Sequence, residues 1–145
     1  IEKPIEIDDI RIEDIIFDII VKEEPNKLHE DKNIDVPWSL CFKYCKKVKY
    51  EDTELIIPVP ELLLIYKVKA YRDRNYDKYN MMDHFAGKKI WHARKDFKIN
   101  KDKRDILNLI NYLKINPKVL EEILSETEFK DLFDDAVDKI LAQNK

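Results

Sequence analysis

Apolar positions fall into short β-branched runs in the first third of the chain and into helical stripes in the rest. Ile5, Ile7, Ile10 and Ile12 alternate loosely, as a half-buried strand does. Ile15-Ile16-Phe17-Asp18-Ile19-Ile20-Val21 is nearly continuous and predicts a strand buried on both faces. Residues 22–36 are polar, contain a proline and lack a period, which predicts a loop. Residues 37–45 predict a short helix with Trp38, Cys41, Phe42 and Cys45 on one face. Residues 47–50 and 54–59, on either side of Glu51-Asp52-Thr53, predict a hairpin.

The stretch Ile57-Pro58-Val59-Pro60-Glu61-Leu62-Leu63 marks a strand that ends in prolines and feeds a helix at once. Pro60 suits the first helical turn, where its missing N–H costs nothing, and Glu61 complements the positive end of the helix. The helix interior is apolar almost all round, except for Lys67 on the stripe Leu63, Lys67, Ala70, Arg74. Such a lysine either snorkels to solvent or is held inward for a purpose. Further on, Ile106, Leu109, Ile110 and Leu113 share one helical stripe, with Asp102 and Asp105 on the adjoining face. Asn116-Pro117 opens a short helix bearing Val119, Leu120, Ile123 and Leu124. The last helix shows Phe129, Leu132, Phe133, Ala136, Val137, Ile140 and Leu141, an amphipathic stripe expected to pack on the chain or on a second copy.

Composition narrows the functional classes. Lys+Arg (27) and Asp+Glu (30) nearly cancel, which argues against a surface that coats nucleic acid generally. Gly87 is the only glycine, so no Gly-rich phosphate loop can be built within these residues. Cys41 and Cys45 read as buried thiols of a reducing, cytoplasmic protein. No apolar run reaches membrane-spanning length, and a start at Ile1 suggests a piece of something longer.

Three features carry candidate chemistry. Asp18 interrupts the most apolar run and needs a partner or a task, unless it ends the strand and points to solvent. Residues 75–101 interleave aromatics with Lys88, Lys89, Arg94, Lys95 and Lys98. The pattern reads either as a nucleotide- or RNA-facing patch or, the preferred reading, as an insertion that packs its aromatics on the core. His84 and His92 match no zinc-ligand spacing.

Taken in order, the aspartate-bearing strand, the helix, the hairpin, the Pro60-Glu61-x-Leu63-Leu64-x-x-Lys67-x-x-Ala70 helix and the segment Lys101-Asp102-Lys103-Arg104-Asp105 resemble a known family. The resemblance is to the latter half of nucleotidyltransferase-fold proteins of the minimal or abortive-infection toxin type, over roughly residues 15–113. It implies Mg²⁺-dependent transfer from a nucleoside triphosphate. Asp18 would be the third carboxylate, a metal ligand and catalytic; Lys67, Arg74, Lys103 and Arg104 would bind substrate; Asp105 would be an acid/base or orienting residue. Lys101-Asp102 offers a second alignment three residues earlier. The family's Gly-Ser segment with an Asp-x-Asp pair has no counterpart in these residues, so that half precedes Ile1 or the chain is a relative that cannot transfer nucleotides.

The expectation is an α/β (α+β) fold, a small mixed sheet flanked by helices and nucleotidyltransferase-like. Residues 1–115 would form the domain, incomplete at its N-terminus, and 116–145 a C-terminal helical extension open to homo-oligomer contacts. The expected activity moves a nucleoside monophosphate from an NTP to a protein or RNA hydroxyl. The alternative is a non-catalytic protein- or RNA-binding module.

Overall fold

The structure, a computed structural model, describes residues 10–12, 15–17, 36–80 and 88–145, with side chains over 36–75 and 94–145. It is α+β and mostly helical. In order come β1 (Ile10–Ile12), β2 (Ile15–Phe17), α1 (Leu40–Lys43), β3 (Cys45–Tyr50), β4 (Thr53–Pro58), α2 (Pro60–Asn80), α3 (Lys88–Tyr112), α4 (Pro117–Ser125) and α5 (Lys130–Gln143).

The described strands form two separate two-stranded sheets, both antiparallel. Ile10 pairs with Phe17 and Ile12 with Ile15, so the described residues of the two isoleucine-rich runs pair with each other; the rest of the run expected over 15–21 lies outside the described residues. The second hairpin closes tightly, with Tyr50 opposite Thr53 and Cys45 opposite Pro58. Glu51 carries the tight turn with a φ of 53°, a left-handed conformation that strains a residue bearing a Cβ.

The helix expected over 37–45 is shorter than its pattern suggested. It spans Leu40–Lys43, and Cys45 already belongs to β3. Its buried residue is Leu40, while Phe42 is 89% exposed. A single turn of helix cannot present one face over nine residues, so the expected Trp38/Cys41/Phe42/Cys45 face does not form. Trp38 instead packs on Tyr66 of α2, their ring centroids 4.6 Å apart.

The core gathers on α2. Leu62, Leu64, Ile65 and Val68 are buried against Ile106 of α3, Ile123 and Leu124 of α4, and Phe129, Phe133, Ala136 and Ile140 around α5. The C-terminal stripe therefore packs on its own chain. Pro60 begins α2 as its sequence predicts, but Glu61 is buried and accepts a 2.6 Å hydrogen bond from the Asn116 backbone N–H. Asn116 also caps α4, its side chain accepting from the Lys118 N–H at 3.0 Å. The start of α2 and the start of α4 are thus tied through one residue pair.

Of the aromatics in residues 75–101 that were expected to pack on the core, Phe97 alone lies where side chains are described, and it is 67% exposed. Most of that stretch continues α2 to Asn80 or opens α3 at Lys88, and α2 and α3 pack along each other more extensively than any other pair of helices among the described residues. Among the described residues no helix is long and apolar enough to cross a membrane.

Candidate functional site

The contact between α2 and α3 brings four charged residues together. Lys67 lies on the solvent edge of α2, between the half-exposed Leu63 and Arg74. On α3, Asp102 falls on the inward stripe with Ile99 and Ile106, and Asp105 sits one turn on, at the rim. The Lys67 amine donates to Asp105 Oδ2 at 2.7 Å and lies 3.8 Å from Asp102 Oδ1. Arg74 Nη1 donates to the other Asp102 oxygen. Both alternatives for Lys67 are met in part: its side chain is 37% exposed, yet its amine is held between two carboxylates.

Burial makes this arrangement more than a surface ion pair. Asp102 is 1% exposed, and a carboxylate there is tolerated because cations face both of its oxygens. Two cations and two carboxylates leave the cluster formally neutral, so an incoming phosphate must compete with the aspartates for Lys67 and Arg74.

Beside the cluster lies an open cleft of about 360 Å³, lined by Leu63, Lys67, Asp105, Asn108, Leu109, Tyr112 and Leu113. Apart from Lys67 and Asp105 at one end, its walls are almost wholly apolar, and Tyr112 stands exposed at its side. An apolar trough ending in a cation suits a ligand with a flat apolar part and an anionic part.

The residues expected for substrate binding and, in Asp105, for acid/base work divide into two places. Lys67 and Asp105 meet on the rim of the α2–α3 cleft, and Arg74 lies farther along α2 on Asp102. Lys103 and Arg104 lie on the side of α3 that faces α5, where they line a different groove, and Lys103 donates to Gln143 Oε1. The helical turn accounts for this: neighbours of Asp102 and Asp105 point about 100° away from them. Asp18 falls outside the described residues.

Mg²⁺ finds no place in this cluster. Asp102 and Asp105 already face Lys67 and Arg74, and the described residues contain no group of three or more His, Cys, Asp or Glu side chains able to hold a metal.

Two buried charges lie beyond the sequence reading. Lys69 is fully buried and donates to Asp73 at 2.9 Å, one turn along α2, with its amine 5.8 Å from the Phe129 ring centroid. Periodicity offered a signal, since Lys69 and Asp73 continue the buried stripe of Leu62 and Ile65, just as Asp102 continues that of Ile99 and Ile106. Searched against models of known protein families, curated proteins and solved structures, the chain matches none of them.

Proposed function

We propose that the α2–α3 cleft is the nucleoside triphosphate site of a nucleotidyltransferase-type domain, serving transfer of a nucleoside monophosphate to a protein or RNA hydroxyl. One observation carries this reading: Lys67 on the Pro-Glu helix and Asp105 on the Lys/Arg-Asp helix, 38 positions apart, meet at 2.7 Å on the rim of a cleft. The resemblance in motif order expects these two segments to converge. In this reading the base lies against Leu63 and Tyr112, and Lys67 and Arg74 hold phosphate oxygens. Asp105 holds the Lys67 amine in place until phosphate displaces it. Mg²⁺ would depend on Asp18 and on acids outside the described residues. The two free thiols, Cys41 and Cys45, suit a reducing, cytoplasmic setting.

A second reading has its own support. Asp102 is neutralised by Arg74 and Lys67, which is how a non-catalytic binding module would fasten α2 to α3. Calorimetric titration with Mg-ATP and Mg-GTP separates the two. The nucleotide reading expects weak binding that Lys67→Ala reduces about tenfold or more, the scale of one charge-assisted hydrogen bond, with helix content unchanged. Heats indistinguishable from buffer dilution, or affinity untouched by Lys67→Ala, would favour the binding module.

A further inference from the structure

The turns of α3 that precede the nucleotide site carry a pattern that the site leaves unused. Arg94, Phe97, Lys98, Lys101 and Arg104 are all exposed and recur at three- and four-residue spacing, so they form one stripe about 15 Å long. Residues 94–104 hold six cations against two carboxylates, in a chain whose net charge is −3. One of those carboxylates, Asp102, is buried and paired with Arg74.

Ion pairing elsewhere sharpens the contrast. On α5, Lys130 and Lys139 sit within 2.9 Å of Glu121 and Asp135 respectively. Among the described residues Arg94, Lys98, Lys101 and Arg104 make no ion pair with any carboxylate. Phe97 stands among them 67% exposed. Alongside it runs a groove of about 500 Å³ between α3 and α5, lined by Phe97, Asn100, Lys103, Arg104, Gln143 and Asn144 among others.

We infer that this face of α3 binds a single strand of nucleic acid. The four cations track the phosphodiester backbone, a base stacks on Phe97, and the amides of Asn100, Gln143 and Asn144 offer donors and acceptors to a base edge in the groove. An anionic membrane fits less well. The stripe holds one large apolar side chain, whereas an interfacial helix needs a whole apolar face, and the apolar face of α3 is already packed on α2. An acidic protein would use the cations, but a planar ring beside an amide-lined groove matches a stacked base whose edge takes hydrogen bonds more closely. The stripe ends one turn short of Asp105 on the rim of the Lys67 cleft, while its groove opens toward α5, and Mg-NTP titration and strand binding can each fail without the other.

Anisotropy titrations of the whole chain with labelled oligouridylate and oligothymidylate, at salt from about 50 to 200 mM, test the assignment. At about 0.7 per phosphate neutralised, four cations give an expected log–log salt slope of about −2.8. The triple change Arg94→Gln, Lys98→Gln, Lys101→Gln should weaken binding at low salt at least tenfold and flatten the slope by about 2. Phe97→Ala should weaken binding about fivefold or more and leave the slope alone. All these positions are exposed, so circular dichroism and melting should match the parent chain. Failure to bind at low salt, or wild-type affinity in the triple variant, overturns the inference. So does an unaffected Phe97→Ala variant, or tighter binding to polyglutamate or phosphatidylserine vesicles than to either strand.

Discussion

Single residues decide how the charges of this chain are distributed between interior and surface. Arg74 and Lys67 both face Asp102, but Arg74 makes the direct hydrogen bond while Lys67 stands 3.8 Å away and turns mainly to Asp105. Removing Arg74 should therefore cost more than removing Lys67. We expect Arg74→Ala to lower unfolding free energy by about 1–3 kcal/mol, discounted from a fully buried pair because the arginine is one-third exposed. Lys67→Ala should cost about 0.5–1 kcal/mol. Urea midpoints measure both, and equal losses would show that Asp102 is not the anchor. The Lys69–Asp73 pair is enclosed on all sides, so its logic differs. Lys69→Met takes from the buried Asp73 carboxylate the amine that faces it at 2.9 Å and should cost about 3–5 kcal/mol; Lys69→Met with Asp73→Leu should recover part of that loss. A double variant as unstable as the single one would rule out charge burial as the cause.

At the scale of elements, the C-terminal helices complete the core rather than decorate it. Phe129, which precedes α5, is fully buried and meets Phe133 edge to face, with ring centroids 6.4 Å apart. Phe129→Ala should cost about 3–5 kcal/mol, seen as a large drop in melting temperature. A change within error would mean that α5 is not part of the cooperative unit. The β3–β4 hairpin offers the opposite case. Most of its side chains are exposed, and its turn places Glu51 at positive φ. Glu51→Gly relieves the left-handed strain and should gain about 0.5–1 kcal/mol, although glycine adds entropy to the unfolded chain. An unfolding midpoint that falls would show that the Glu51 side chain makes a contact worth more than the strain.

Across the whole molecule, a charged junction ties α1 to the C-terminal part of the chain. Glu126, just after α4, accepts from Lys43 of α1 and from the Tyr44 hydroxyl. The Lys43 bond, and then the Tyr44 bond, hold the Glu126 carboxyl below its ordinary 4.5. Its contribution to folding is whole above 4.5 and disappears as pH falls through the lower folded value. Lys43 is raised above 10.5, chiefly by its hydrogen bond to Glu126, so its contribution is complete below 10.5 and is lost as pH rises through the folded value. Burial, with the Glu126 bond behind it, raises Tyr44 above 10.0 and acts on the same alkaline side. Stability should therefore sag at both extremes, and Glu126→Gln should flatten the acid side. Urea midpoints followed from neutral to strongly acid pH check this, and an acid limb unchanged by Glu126→Gln would place the acid sensitivity elsewhere.

Local rules reach as far as the length of one helix. The prolines before α2, the Asn116-Pro117 start of α4, the stripe around α5 and the turn between β3 and β4 are all legible in the residues, because each follows from a period or a backbone preference spanning a few positions. The same rules placed Lys67 and Asp105 on their helices, and the resemblance paired them. They failed over residues 37–45, where hydrophobic spacing suggested a full helix but the chain turns into β3 and pairs with β4 instead. The resemblance put Lys103 and Arg104 in one site with Asp105, yet the helix turns them toward α5. That Arg74 and Lys67 share Asp102, and that Glu61 reaches Asn116, depends on how α2, α3 and α4 sit against one another. Periodicity says which face of a helix turns inward; the partner that meets a charge there is chosen by packing between segments tens of residues apart, a relation that no local pattern encodes.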